Sequence, residues 1–357
     1  MSTAPDADKI KIFAEKMIGV LNHSVLALMT SLGHRTGLFD AMGRLTAHAT
    51  SAQIALEAKL NERYVREWLG SMVTGGVVEY DVDAHTYRLP PEHAALLTRA
   101  GTPSNMATSA QWMAVLGSAE DALVEAFAHG RGVEYGAYHR FHEVMAEESA
   151  QTVVAALHEH ILPLVPGLTT RLAAGIHVLD IGCGSGRAVI ALARAFPNSW
   201  FTGYDLSPEA IRVAREEAAR QELKNVRFED RDLSALGEIA AYDLVTSFDA
   251  IHDQSQPARV LENVRTALRR GGVFLMQEIA GSSHLAGDMK HPLAPFLYGI
   301  SCMHCMSVSL AYGGPGLGAM WGKERAQAML REAGFDQITV KELPHDLINY
   351  YYVAPVA

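Results

Sequence analysis

"HVLDIGCGSGRA", residues 177–188, decides the fold. A short apolar run carrying one acid, Asp180, leads into Gly182, Gly184 and Gly186, and an apolar helical pattern follows at once. A glycine-rich turn between strand and helix belongs at the carboxyl edge of an open parallel sheet, where backbone N–H groups can close on a ligand. The spacing is G-x-G-x-G, not the G-x-G-x-x-G of pyrophosphate binders. Asp180, two residues ahead of the first glycine, offers a carboxylate to an ammonium group.

Downstream, short apolar runs alternate with amphipathic ones: "WFTGYDL", "EAIRVAREEAAR", "VRFEDRD", "YDLVTSFDA", "ARVLENVRTALRR", "VFLMQE". That alternation predicts βαβ units and a parallel, doubly wound, Rossmann-like α/β sheet. Asp205 stands nineteen residues after Gly186, at the end of a strand, placed to accept hydrogen bonds from ribose hydroxyls. Together the residues fit a nucleoside with an amino-acid tail.

Upstream, residues 8–43 are rich in Ala, Leu, Met and Phe at helical spacing, with Thr36 read as the cap of a second short helix. "TSAQIALEAKLNERYVREWLGSMVTGGVVEYD" then predicts a helix capped at Thr50 or Ser51, a turn at Asn61, a second helix, a Gly75-Gly76 stop and a strand. With the returning "TYRL" this is the winged-helix order. The expected organisation is a mostly helical winged-helix and dimerisation domain over residues 1–104, a helical connector over 105–165 lining a pocket, and the sheet domain over 166–357.

Bulk properties narrow the function. A net charge of −10 works against nucleic-acid binding. The candidate recognition helix sets only Lys59, Arg63 and Arg66 against Glu62 and Glu67. No apolar run near eighteen residues stands out, so no membrane association is expected. The amino end lacks a secretory pattern, and Cys183, Cys302 and Cys305 are an odd set, so reduced thiols and a cytoplasmic location are expected.

Over residues 175–280 the chain resembles the class I S-adenosylmethionine-dependent methyltransferases. The resemblance implies S-adenosyl-L-methionine as cofactor, its methionine moiety held by Asp180 and the glycine loop and its ribose by Asp205 with Leu206 beside it. Asp232 in "FEDRDLSAL" and the Leu233 backbone would meet the adenine, and Phe248 would line the same pocket. The winged helix ahead of this domain is similar to that of the plant-type small-molecule O-methyltransferases and their bacterial relatives, which implies a homodimer through the N-terminal helices.

That comparison also assigns the acceptor side. "FHEVMAEES" looks like the pocket segment, putting Phe141 and Met145 against substrate and Ser149 near the donor carboxylate. "IHDQS" looks like H-D-W-S with Gln254 in place of tryptophan, which makes His252 the general base. Its orienting acids would be Glu278 and Glu324 of "WGKERAQ". Tyr138 and His142, in a cluster of aromatics and glycines, are further pocket candidates. In "CMHCM", Cys302 and Cys305 at i and i+3 would share one helix face; Cys302 and His304 are read as pocket lining, and no metal is expected because a fourth ligand is missing. The departure from the family is the long 282–320 stretch. The expected reaction is methyl transfer to an oxygen of a small, partly aromatic molecule. An S-methyltransferase for a small thiol and a donor-binding transcriptional regulator stand as alternatives.

Overall fold

The computed structural model describes residues 5–357, in two compact units, Met1–Ala114 and Val115–Ala357. The division falls inside the stretch read as a connector.

In the first unit, helix α1 (Ala7–Arg35) is capped by Asp6, whose carboxylate accepts from the Asp8 and Lys9 amides at 3.0 and 3.3 Å. It is followed by α2 (Leu38–Arg44), α3 (Ser51–Ala58) and α4 (Glu62–Thr74). Thr50 and Gln53 close a reciprocal capping box on α3, and Asn61 caps α4. Strands β1 (Glu79–Asp81) and β2 (Thr86–Arg88) pair antiparallel as the wing. Phe39, Ile54, Trp68, Leu69 and Met72 form the core, with the Phe39 and Trp68 rings edge to face at 5.3 Å. One reading is corrected: Thr36 does not start α2 but ends α1, its hydroxyl donating to Leu32 O at 2.6 Å, and Gly37 in the left-handed region starts α2.

The second unit holds seven strands: β3 (His177–Ile181), β4 (Trp200–Asp205), β5 (Val226–Asp230), β6 (Tyr242–Phe248), β7 (Leu268–Ile279), β8 (Thr339–Leu343) and β9 (Asp346–Pro355), in the order β5-β4-β3-β6-β7-β9-β8. The first five pair in parallel, and the strand order reverses between β3 and β6, the switch point where ligands settle in such sheets. Beyond the βαβ segments the sheet gains an antiparallel edge, since β9 runs antiparallel to both β7 and β8. A tight turn at Pro344 and His345 joins β8 to β9, too short for the crossover that a parallel pair needs.

Each face of the sheet has its own core. Val189, Ile190, Phe201, Ile211 and Leu275 fill one; Leu179, Val245, Leu261, Phe274 and Leu330 fill the other. A fully buried aliphatic side chain contributes about 1.5–3 kcal/mol, so these layers fix the strand order that sets the loops.

The absence of a long apolar run is also corrected. Ala7–Arg35 and Ala294–Ala311 each hold an 18-residue window of mean hydropathy 1.3, long and apolar enough to cross a membrane by length and composition. Interspersed Ser, His, Gly and Thr hide these windows from a reading by eye.

Candidate functional site

The carboxyl ends of β3 and β4 carry the first half of the site. Gly182 has φ +68°, and an added Cβ would lie 2.3 Å from the Ala250 Cβ, so no other residue fits there without movement. Gly186, at φ +73°, starts the Arg187–Ala195 helix and lies against the Phe228 ring, 2.6 Å from where its Cβ would stand. Asp205 is held from two sides: the Gly184 amide donates to Oδ2 and the Ser207 amide to Oδ1, each at 2.8 Å. Burial raises its carboxyl, and these amides oppose the rise. Asp180 is buried, accepts from the Thr246 hydroxyl at 2.6 Å, and is pushed up to about 7 by burial, with the Asp205 charge adding to the rise.

The remaining donor-side candidates lie at the ends of β4, β5 and β6. Leu206 is exposed. Asp232 is exposed and caps a turn by accepting from the Ser234 amide at 2.8 Å. Leu233 is buried and its carbonyl accepts from Asn263 Nδ2 at 3.0 Å. Phe248 is half-buried against the core. His142 approaches from the Phe141–Ser149 helix, its Nε2 3.5 Å from the Ser207 hydroxyl; Met145 and Ser149 are half-buried on the same helix.

The second half is built after β6 and β7. His252 is buried, and its Nδ1 contacts Glu278 Oε2. Glu278 is fully buried, its Oε1 accepting from the Ile251 amide at 2.9 Å and its Oε2 from Trp321 Nε1 at 3.2 Å. Burial works against the His252 charge, but the Glu278 carboxylate and a hydrogen bond with the Cys305 thiol outweigh it and hold the imidazole well above its usual range. A carboxylate on Nδ1 fixes tautomer and ring orientation and strengthens the other nitrogen as a base.

Glu324 is corrected. It is exposed, and its Oε2 accepts from the Ser283 amide at 2.8 Å rather than facing His252. "WGKERAQ" does supply a partner to Glu278, but that partner is Trp321, three residues earlier. Ser301–Cys305 is a π-helical turn; Cys305 is buried on His252 and Cys302 is half-buried, and both thiols act on the Tyr138 hydroxyl.

Aromatic rings gather around His304. His304 stacks on Phe141 at 4.2 Å and 14°, with Tyr138 and Tyr135 edge-on at 4.8 and 5.4 Å. The Tyr138 hydroxyl donates to Met303 O at 2.5 Å and the Tyr135 hydroxyl to Asp253 Oδ2 at 2.5 Å. Burial first, then the His252 and His142 charges, bring His304 down to about 3, so it stays neutral while His252 is held charged. Environments that push two like groups apart in this way assign them different tasks. Sequence reasoning placed Tyr135 in the same aromatic cluster as Tyr138 and His142, and missed Trp321, the role of Asp253 as the partner of Tyr135 and the contact of Cys305. Only Asp253, beside His252, carried a local signal.

Among the described residues no group of three or more His, Cys, Asp or Glu is arranged to hold a metal. In the first unit Arg63 pairs with Glu67, and Arg66 with Glu62 at 3.3 Å, so the α4 face presents compensated charge.

Comparison with known proteins agrees with this architecture. Residues 24–99 match the Rv2258c-like winged HTH domain family and residues 172–334 a methyltransferase domain family. The ubiquinone biosynthesis O-methyltransferase of Coxiella burnetii is 32% identical over 106 residues, 29% of this chain and 44% of that protein. The trans-aconitate 2-methyltransferase of Deinococcus radiodurans is 36% identical over 107 residues, 30% and 39%. The chain thus spans less than half the length of these curated relatives. Human N-acetylserotonin methyltransferase, solved in complex with SAM, superposes with a TM-score of 0.69 at 16% identity, covering 100% of both chains. An O-methyltransferase family protein from Burkholderia thailandensis gives 0.66 at 15%, covering 96% and 98%. The fold is that of the class I methyltransferases behind an N-terminal winged helix.

Proposed function

We propose that this chain, a methyltransferase domain preceded by a winged HTH domain, transfers a methyl group from S-adenosyl-L-methionine to an oxygen of a small, partly aromatic acceptor, with His252 as general base. The observation that carries the reading is the buried His252–Glu278 pair beside an aromatic wall and the glycine loop.

The donor-side residues fit such a cofactor. Asp180 is a buried carboxyl pushed up to about 7, which an ammonium group would return to its charged form. Gly182 and Gly186 leave room only for backbone, and Asp205 keeps second lone pairs for ribose hydroxyls beyond the two amides it accepts. Asp232, Leu233, Leu206, Phe248 and Ser149 would complete the surround. When bound there, S-adenosyl-L-methionine would supply an electrophilic sulfonium methyl.

His252 then has one task, to take the acceptor's proton. A phenol near pKa 10 and an unperturbed imidazole near 6.5 differ by about 3.5 units, which costs about 5 kcal/mol for full transfer. The Glu278 carboxylate raises His252 and shrinks that gap. Because the resting imidazole is then protonated near neutrality, turnover rises with pH until His252 is free to accept. Phe141, Tyr138 and neutral His304 would hold a flat ring, with Cys302, Met145 and His142 at its rim.

Two further readings go with this one. On α1, Ile10, Phe13, Met17, Leu21, Val25, Leu28 and Leu32 are exposed at helical spacing, an apolar stripe that a second copy of the chain would cover in a homodimer. Reduced cysteines agree with a cytoplasmic location.

The test is labelled donor with panels of phenols, carboxylic acids and thiols. Label transferred to a phenol or carboxylate supports the reading, transfer to thiols alone moves the chemistry to sulfur, and donor binding without transfer to any class contradicts an enzyme.

A further inference from the structure

Gln277 and Glu278 alternate along β7 and so face opposite sides of the sheet. Glu278 serves His252; Gln277 belongs to a separate polar cluster. Its Nε2 donates to Asp249 Oδ2 at 2.8 Å. Nearby, Asn349 Nδ2 donates to both oxygens of Asp346 at 3.2 and 3.1 Å, and the Tyr351 hydroxyl donates to Asp346 Oδ2 at 2.6 Å. The register pairs Gln277 with Tyr351 and Ile279 with Asn349, so Gln277, Tyr351 and Asn349 lie on one face within diagonal reach.

These bonds orient the amides. The NH₂ ends of Gln277 and Asn349 point at carboxylates, which leaves their carbonyl ends elsewhere. Three oxygens, Asp249 Oδ1, Gln277 Oε1 and Asn349 Oδ1, are buried with no hydrogen-bond partner among the described residues. Gln277 is 2% and Asn349 5% exposed. Asp249 itself sits at φ +53°, a left-handed conformation that aspartate tolerates and that turns its carboxylate toward β7. Burial pushes its carboxyl well above the usual range, with the Glu278 and Asp346 charges adding and the His252 charge and the Gln277 hydrogen bond opposing.

With Asp249 ionised, all three unpartnered atoms are acceptors. One water brings two donors, which leaves the third oxygen bare and neutralises no charge. A cation ligated by all three oxygens would satisfy them and compensate the carboxylate.

We propose that Asp249, Gln277 and Asn349, backed by Asp346, bind a small cation, either a hard metal ion or a primary ammonium group carried by an acceptor molecule. A metal ion fits because carboxylate and amide oxygens suit hard cations. A primary ammonium fits because its three N–H donors match three acceptors.

The test needs neither methyl donor nor acceptor, so its failure leaves the methyl-transfer reading standing. The full chain is titrated at constant ionic strength with MgCl₂, CaCl₂ and methylammonium chloride, with tetramethylammonium chloride as the N–H-free control, by calorimetry and thermal unfolding. The expected result is binding by a metal ion or by methylammonium, a rise of about 3 °C in the unfolding midpoint at ten times its Kd, and no response to tetramethylammonium. A metal response alone makes this a metal site, and a methylammonium response alone makes it an ammonium subsite. Asp249→Asn should abolish the response without lowering the cation-free midpoint, since it removes a carboxyl whose ionised form burial disfavours, and Asn349→Leu should weaken binding about tenfold. No binding of any probe at tens of millimolar, an equal response to tetramethylammonium, or an unchanged response in Asp249→Asn overturns the proposal.

Discussion

The two halves of the site are built differently. The half proposed for the donor comes from neighbouring residues of contiguous segments: Asp180, Gly182, Gly184 and Gly186 lie within seven positions, and Asp205 ends the next strand. The acceptor half is assembled from far-apart segments, with His252 after β6, Glu278 at the end of β7, Trp321 and Cys305 from the long C-terminal stretch, and Tyr135, Tyr138 and Phe141 from before the sheet. The donor half is backbone geometry imposed by one turn, whereas the acceptor half is side-chain electrostatics imposed by packing. Substitutions should therefore damage binding on one side and turnover on the other.

The strongest break of that division is Asp205→Ala, which removes two amide contacts and the carboxylate proposed to meet the ribose. Donor affinity measured by calorimetry should fall about 10²-fold or more. Unchanged affinity would falsify the donor assignment.

Next comes Glu278→Gln, expected to lower turnover about 10- to 100-fold with donor affinity unchanged. Without the carboxylate, burial alone acts on His252 and lowers its midpoint, so the rising limb of the pH profile moves to lower pH. A limb that stays in place would detach Glu278 from the base. The stability sign follows: a histidine raised in the folded state stabilises fully below about 6.5 and loses that contribution as pH climbs through its folded value. The stability gap between the two proteins should therefore narrow in alkaline solution.

A smaller effect is expected on donor binding itself. Asp180, at about 7, is protonated below neutrality and then offers no charge to an ammonium group. Affinity should weaken as pH falls from 8 to 6, by at most about tenfold per unit, because one proton is linked. A flat profile would place the ammonium elsewhere. The same rise has the opposite sign for stability, since a carboxyl raised in the fold costs stability as pH increases from its unfolded value toward 7.

The smallest effect sharpens the comparison. Glu324 is exposed and bonded to the Ser283 amide, so Glu324→Gln should leave turnover within about twofold. A large loss would return Glu324 to the site.

The same contrast explains what could be read in the sequence. The parallel strands, the glycine turn, Asp180 and Asp205 are visible because strand periodicity and φ > 0 requirements act on adjacent residues. Glu278 is reached only through the family resemblance, as the acid that ends "VFLMQE", and the structure sets it against His252. Trp321 was hidden behind Glu324 because an acid was sought where an indole N–H does the bonding. The contact of Cys305 with His252 was hidden because nothing local marks the π-turn at Ser301–Cys305 that carries it. The antiparallel edge escaped because "TVKEL" and "DLINYYYVAP" lie beyond the last βαβ alternation.

The most direct test of the central claim is His252→Ala, assayed for methyl transfer at saturating donor alongside calorimetric donor affinity. Turnover at least about 10²-fold lower with affinity within twofold is the predicted result. Turnover equal to that of the unaltered chain would contradict His252 as the base.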